Sequence, residues 1–258
     1  AGIDAVKSDI VITTNGGYPL DQNVYQAVKG MTAAEACVRP GGAIIMCAAL
    51  GDGAGGDDFY HWFADRESPR QVARDIESIP PAETRMEKPR QPLVYISLGT
   101  VVNDQPSFYR QCIAALADSP CRVILSVGEQ VSPADLGALP QNVEAHPQVD
   151  QIAVLQVADV FLTHCGMNSV NEALYFGVPL VMFPQTPEQG GVCTRVLQLG
   201  AGVKLEKPDA VSIRKAIDAV RLTPAYREKA AEISAGFRRC AGAKGAAEKI
   251  LRVIGKGS

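Results

Sequence analysis

His164-Cys165-Gly166-Met167-Asn168-Ser169 follows an apolar run from Asp159 to Thr163, with Glu172 soon after and Glu188-Gln189 beyond the next apolar run. A strand entering a small-residue turn and then a helix, from about Met167, leaves backbone amide donors aimed at one spot, and that spot suits a phosphate. A histidine at the strand end can donate to the same phosphate. Asn168 and Ser169 are the residue types that cap helices, and Glu172 offers a carboxylate to ribose hydroxyls. Together these residues predict a nucleotide-diphosphate cradle. A strand, a glycine turn and a capped helix also occur in folds that bind nothing, and Glu188-Gln189 on its own reads equally as a solvated helix start. Cys165 reads as a packing residue rather than a reactive thiol.

The elements that would position these residues alternate. In the first part, Asp9 to Thr14 predicts a strand and Leu20 to Val38 a helix stopped by Arg39-Pro40-Gly41-Gly42. Ala43 to Ala48 predicts a second strand, and Phe59 to Glu77 a helix broken near Pro69. From Ser78 to Pro92 the apolar periodicity lapses among Pro80, Pro81, Pro89 and Pro92, as expected of a linker. Beyond it, strands are predicted at Leu93 to Leu98, Arg122 to Val127, Val143 to His146, Val160 to Thr163, Leu180 to Phe183 and Gly202 to Leu205. Ser107 to Ala117 predicts a helix, and Ser212 to Val253 successive Ala-rich helices. The reading is an α/β chain with parallel Rossmann-like sheets, in two domains over residues 1–88 and 89–258.

Composition narrows the function classes. In 258 residues, 47% are hydrophobic and 21% charged, the balance of an ordinary globular protein. A net charge of -3 with dispersed Lys and Arg gives no footprint for nucleic acid. Seven scattered cysteines, an odd number without a Cys-x-x-Cys pair, point to a reducing, cytoplasmic setting. No apolar run has the length of a membrane span, no signal peptide opens the chain, and no Cys/His cluster has metal-binding spacing. Oligomeric state is not readable.

The pattern from His146-Pro147-Gln148 through Ala158 to Ser169, Glu172-Ala173-Leu174, Gly177-Val178-Pro179 and Pro184 to Gln189 resembles the donor-binding signature of UDP-sugar-dependent glycosyltransferases, nearest the macrolide branch. The resemblance runs from about Pro92 to about Gly255 and implies a GT-B-type donor domain. It would set Gln148 against uracil, and His164 with the amides from Gly166 to Ser169 on the diphosphate, helped by Thr100. Glu172 would take the ribose, and Glu188 and Gln189 the sugar hydroxyls. No cofactor is implied, the UDP-sugar being the donor substrate. Where many members carry an aromatic ring before the Pro-Gln pair, this chain has Ala145-His146. The family's general base, a His supported by an Asp on a separate acceptor domain, finds no counterpart in the pattern.

Asp9 to Asn23, followed by Tyr25-Gln26-Ala27-Val28-Lys29-Gly30, resembles the C-terminal region of the nickel-pincer lactate racemase family, a smaller βαβα lobe. Asn15-Gly16-Gly17 reads as a tight turn after a strand. Tyr25 and Lys29, and Gln26 and Lys29, are neighbours on a helix, and the resemblance would make Tyr25, Gln26 and Lys29 a substrate face. The racemase cofactor and its catalytic histidines belong to an N-terminal domain that this pattern does not contain. The expectation is a chimera that binds nucleotide sugar with weak or no transfer. A ligand-free fusion product, or a transferase with an acceptor site improvised around Lys29 and His61, are the alternatives.

Overall fold

The computed structural model describes residues 5–17, 20–78, 86–99 and 103–242, together with residues 245, 248 and 252. The chain divides into two compact units, Ala1–Ile79 with Gly242–Ser258, and Pro80–Ala241.

In the first unit, strands β1 (Ser8–Thr14) and β2 (Val38–Cys47) pair in parallel and are joined by helix α1 (Val24–Glu35), a βαβ crossover. Helices α2 (Asp57–Ala64) and α3 (Pro69–Ser78) follow, the second opening on the proline that the sequence marked as a break. Two expectations need correcting. Helix α1 starts at Val24 rather than Leu20, because Asn23 takes an extended conformation and its side chain accepts the Gln26 amide at 2.9 Å. Arg39-Pro40-Gly41-Gly42 does not separate helix from strand but lies inside β2. Ser8 pairs with Val38 while Ile10 pairs with Ala43, so the extra residues form an irregularity in the ladder.

The second unit is a six-stranded parallel sheet in the order β5-β4-β3-β6-β7-β8. Its strands are β3 (Leu93–Ser97), β4 (Arg122–Ser126), β5 (Val143–His146), β6 (Val160–Thr163), β7 (Leu180–Met182) and β8 (Gly202–Lys204). Its helices are α4 (Pro106–Leu116), α5 (Gln151–Leu155), α6 (Met167–Tyr175), α7 (Pro187–Leu199), α8 (Ala210–Leu222) and α9 (Pro224–Arg239), with a 3-10 turn at Pro133–Leu136. Both faces of the sheet are covered, which is why its strands read as unbroken apolar runs. Along β3, Val94 and Ile96 join a core that includes Phe108, Leu116, Ile213 and Ile217. Leu93 and Tyr95 join the opposite core, with Phe161, Leu174, Cys193 and Val196. Four strands end one residue sooner than expected, since Leu98, Val127, Phe183 and Leu205 carry the apolar pattern past the last paired position.

The chain leaves β3 outward to β4 and β5, then returns to place β6 on the other side of β3. In such sheets the crevice beyond the strand ends at this reversal is where ligands bind. At the opposite edge Asp159 ties the two central strands together. Its carboxylate accepts from the Leu93 amide at 2.9 Å, Lys88 at 3.1 Å and Arg227 at 2.8 Å.

Candidate functional site at the strand reversal

The loops after β3 and β6 meet at His164. Its imidazole lies against Gly99, at the end of β3, and against Gly166 in its own loop; a Cβ on either glycine would overlap the ring. Gly99 also has φ +78, a conformation that favours glycine. Between His164 and Gly166, Cys165 is fully buried at φ 68, its amide donating to Thr163 Oγ1 at 3.3 Å. Burial pushes this thiol up, and does the same to Cys193 beside it, so both are packing groups rather than nucleophiles.

Helix α6 starts at Met167 with Gly166 as its N-cap and no side-chain cap, which corrects the expectation that Asn168 or Ser169 would cap it. Both sit inside the first turn instead. The amides of that turn are therefore left to an acceptor from outside the helix, and an anion suits both their donors and the helix dipole.

Glu172 lies one turn further on and is held by a glutamine, Gln151. The structure places Gln148 exposed in the loop after β5. Asp150 accepts the Ala153 amide at 3.0 Å and so starts α5 at Gln151. Gln151 Nε2 then donates to Glu172 Oε2 at 2.6 Å and to Ser169 Oγ at 3.3 Å. Its Oε1 accepts from the Tyr95 hydroxyl at 3.2 Å. Gln151 escaped the sequence reading; the Asp-x-x-Ala cap before it, which starts a helix there, was the available signal. His146 stands at the edge of the sheet, 3.5 Å from Glu144, which also pairs with Arg122 at 2.8 Å.

The loop from β7 into α7 forms the third side. Thr186 caps α7 by accepting the Gln189 amide at 3.3 Å. The side chain of Gln189, only 7% exposed, accepts from the Gln185 amide at 2.8 Å. Gln105, just before α4, donates to the Gln185 side-chain oxygen. That leaves Gln185 Nε2, a donor, and Glu188 Oε1, an acceptor, buried without hydrogen-bond partners among the described residues. Such orphaned groups are costly unless a ligand or water completes them. Gln185 was also missed from sequence. Asn103 donates to the Gly99 carbonyl at 2.8 Å, linking the β3 loop to the segment that carries Gln105. Thr100 lies outside the described residues.

In the first unit, Gly16 and Gly17 both have positive φ, as expected of the turn, and Asn15 Nδ2 donates to the carbonyls of Leu20 and Gln26 at 2.7 and 2.5 Å. Of the three expected face residues on α1, Gln26 is buried, Lys29 half-buried and Tyr25 exposed. His61 pairs with Asp65 at 3.1 Å, a partner that the spacing of one helical turn could have indicated. Both side chains are largely exposed. Among the described residues no group of three or more His, Cys, Asp or Glu could hold a metal ion, and no helix is long and apolar enough to cross a membrane.

Comparison with known proteins assigns the two parts separately. Residues 3–97 match the lactate racemase C-terminal domain, and residues 75–238 match the UDP-glucoronosyl and UDP-glucosyl transferase model. An NDP-glycosyltransferase of Bacillus subtilis (strain 168) is 40% identical over 167 residues, covering 64% of this chain and 43% of that protein. A lactate racemase of Thermoanaerobacterium thermosaccharolyticum is 55% identical over 76 residues, 30% of this chain and 18% of that protein. Among solved structures, the glycotransferase of kitacinnamycin superposes with a TM-score of 0.63 at 32% identity, covering 67% of this chain and 46% of that one. The chain spans about two fifths of the length of the curated glycosyltransferases it matches. Its parallel α/β sheet is of the GT-B type seen in its structural neighbours. With one family model matched across more than half of its residues, the chain belongs to the UDP-glucoronosyl and UDP-glucosyl transferase family.

Proposed function

We propose that residues 89–258 bind a UDP-sugar at the strand reversal, as a donor domain of glycosyltransferase ancestry joined to a racemase-like fragment over residues 1–88. The observation that carries this reading is the convergence of the β3 and β6 loops on His164, beside an N-terminus of α6 that no side chain caps. In the proposed complex His164 and the amides from Gly166 to Ser169, Asn168 among them, hold the diphosphate, with Thr100 assigned to the same group. Glu172, held by Gln151, accepts from the ribose, and Gln148 lies against the uracil. Glu188 and Gln189 face the sugar, and the orphaned Glu188 oxygen suits a hydroxyl donor.

Transfer needs in addition a base within reach of the acceptor hydroxyl. The chain by itself is proposed to transfer sugar weakly or not at all. All seven cysteines are free thiols, which supports the cytoplasmic placement expected from their number.

Calorimetric titration with UDP and UDP-glucose, on the full chain and on His164→Ala, tests the proposal. Saturable binding that weakens by about tenfold or more in the variant is expected, the loss of one charge-assisted contact. Absence of binding heat in a folded protein overturns it and leaves a fusion product without a ligand.

A further inference from the structure

Tyr95 is a polar exception in an apolar place. It lies on the central strand β3, 1% exposed, stacked on Phe161 with ring centroids 4.7 Å apart, and a phenylalanine would fill the same volume. Its hydroxyl donates to Gln151 Oε1 at 3.2 Å and also interacts with the Ser97 and Ser126 side chains. Burial pushes the phenol up to about 12, so the proton stays in place across the neutral range.

A carboxamide has two faces of opposite polarity, and turning it over exchanges donor for acceptor. Because the Glu172 carboxylate only accepts, Gln151 presents Nε2 to it, at 2.6 Å, and to Ser169, and turns Oε1 to the Tyr95 hydroxyl. The reversed amide would set an oxygen against the Glu172 carboxylate. The Glu172 carboxylate thus sets the amide orientation, the Tyr95 hydroxyl anchors the far end of the amide, and one oxygen of Glu172 is held by a neutral donor. The carboxylate is fixed in direction, the condition for accepting from hydroxyls whose positions are set by a sugar ring.

We infer that Tyr95, acting through Gln151, is a positioning residue for Glu172, and that this three-residue chain makes the site prefer ribose to 2′-deoxyribose nucleotides. The inference rests on the donor-site reading above and adds to it a determinant in the sheet, remote from the loops.

The test compares dissociation constants for UDP and 2′-deoxy-UDP in the full chain, in Tyr95→Phe and in Gln151→Leu, with thermal melting recorded for each. The parent is expected to bind UDP about tenfold or more tightly than 2′-deoxy-UDP, the cost of one lost hydrogen bond to a charged group. In both variants that preference falls at least about threefold, the share expected when the acceptor is present but loosely directed. A merely structural role for Tyr95 would raise both constants by the same factor and leave their ratio intact, and this result overturns the inference. Equal affinity for the two nucleotides in the parent also overturns it, while leaving the donor site standing. Failure of the parent to bind either nucleotide removes the donor-site reading itself.

Discussion

His164 owes its placement to the lack of a side chain on each side of it. Gly99 and Gly166 come from segments more than sixty residues apart, and either would collide with the imidazole if it carried a Cβ. Gly166 has φ -58, which any residue adopts, so Gly166→Ala isolates the steric effect from backbone strain. This substitution is expected to displace the ring and weaken UDP binding by about tenfold, as measured by titration, with the fold retained by circular dichroism. Unchanged affinity would mean that the ring position is irrelevant to the ligand. At this scale the sequence disclosed His164, Glu172, Glu188 and Gln189 as candidates but not Gln151, Gln185 or Tyr95. The reason is that a motif names residues by neighbourhood along the chain, whereas Tyr95 meets Gln151 across 56 positions and Gln105 meets Gln185 across 80.

Elements begin where a side chain can take over an orphaned amide, and this chain uses Asn23, Asp150, Thr186 and Asp209 in that way. At α8 the Ser212 amide donates to Asp209 at 2.8 Å. That bond foremost, with help from the Ser212 hydroxyl and Lys207 and against some desolvation, holds the Asp209 carboxyl below its ordinary value. A carboxyl lowered in the folded state contributes stability in full above the unfolded value, and loses it as pH falls through the native one. Urea midpoints followed downward from about pH 5 should therefore fall more steeply in the parent than in Asp209→Asn, which keeps a capping acceptor that does not titrate in this window. Parallel curves would refute the assignment. The strands were legible as elements because both faces of the larger sheet are buried. The interruption of β2 was not, since Pro-Gly-Gly signals a break in pairing equally well between elements and within one.

The two units of the molecule differ in how much each can hold together. A two-stranded sheet is marginal by itself, and β1 and β2 leave Ile10 61%, Ile12 70% and Ile45 47% exposed. The larger unit closes six strands between helices, with Val94, Ile96, Phe161 and Leu162 fully buried. Hydrogen exchange is expected to proceed through local opening in β1 and β2 well before the amides of β3 and β6 exchange. Protection of equal degree in both units would show that they unfold together. The sequence by itself determined the α/β class, the succession of elements, the presence of two joined ancestries and the residue types of a diphosphate cradle. These follow from periodicity, turn chemistry and local motifs, all of which act over a few residues. Only the tertiary structure decided that β6 returns beside β3, that Gly99 therefore closes on His164, and that Gln151 reaches Glu172. Those outcomes depend on strand order and on where a cap starts a helix, and both are settled by packing between segments far apart in the chain.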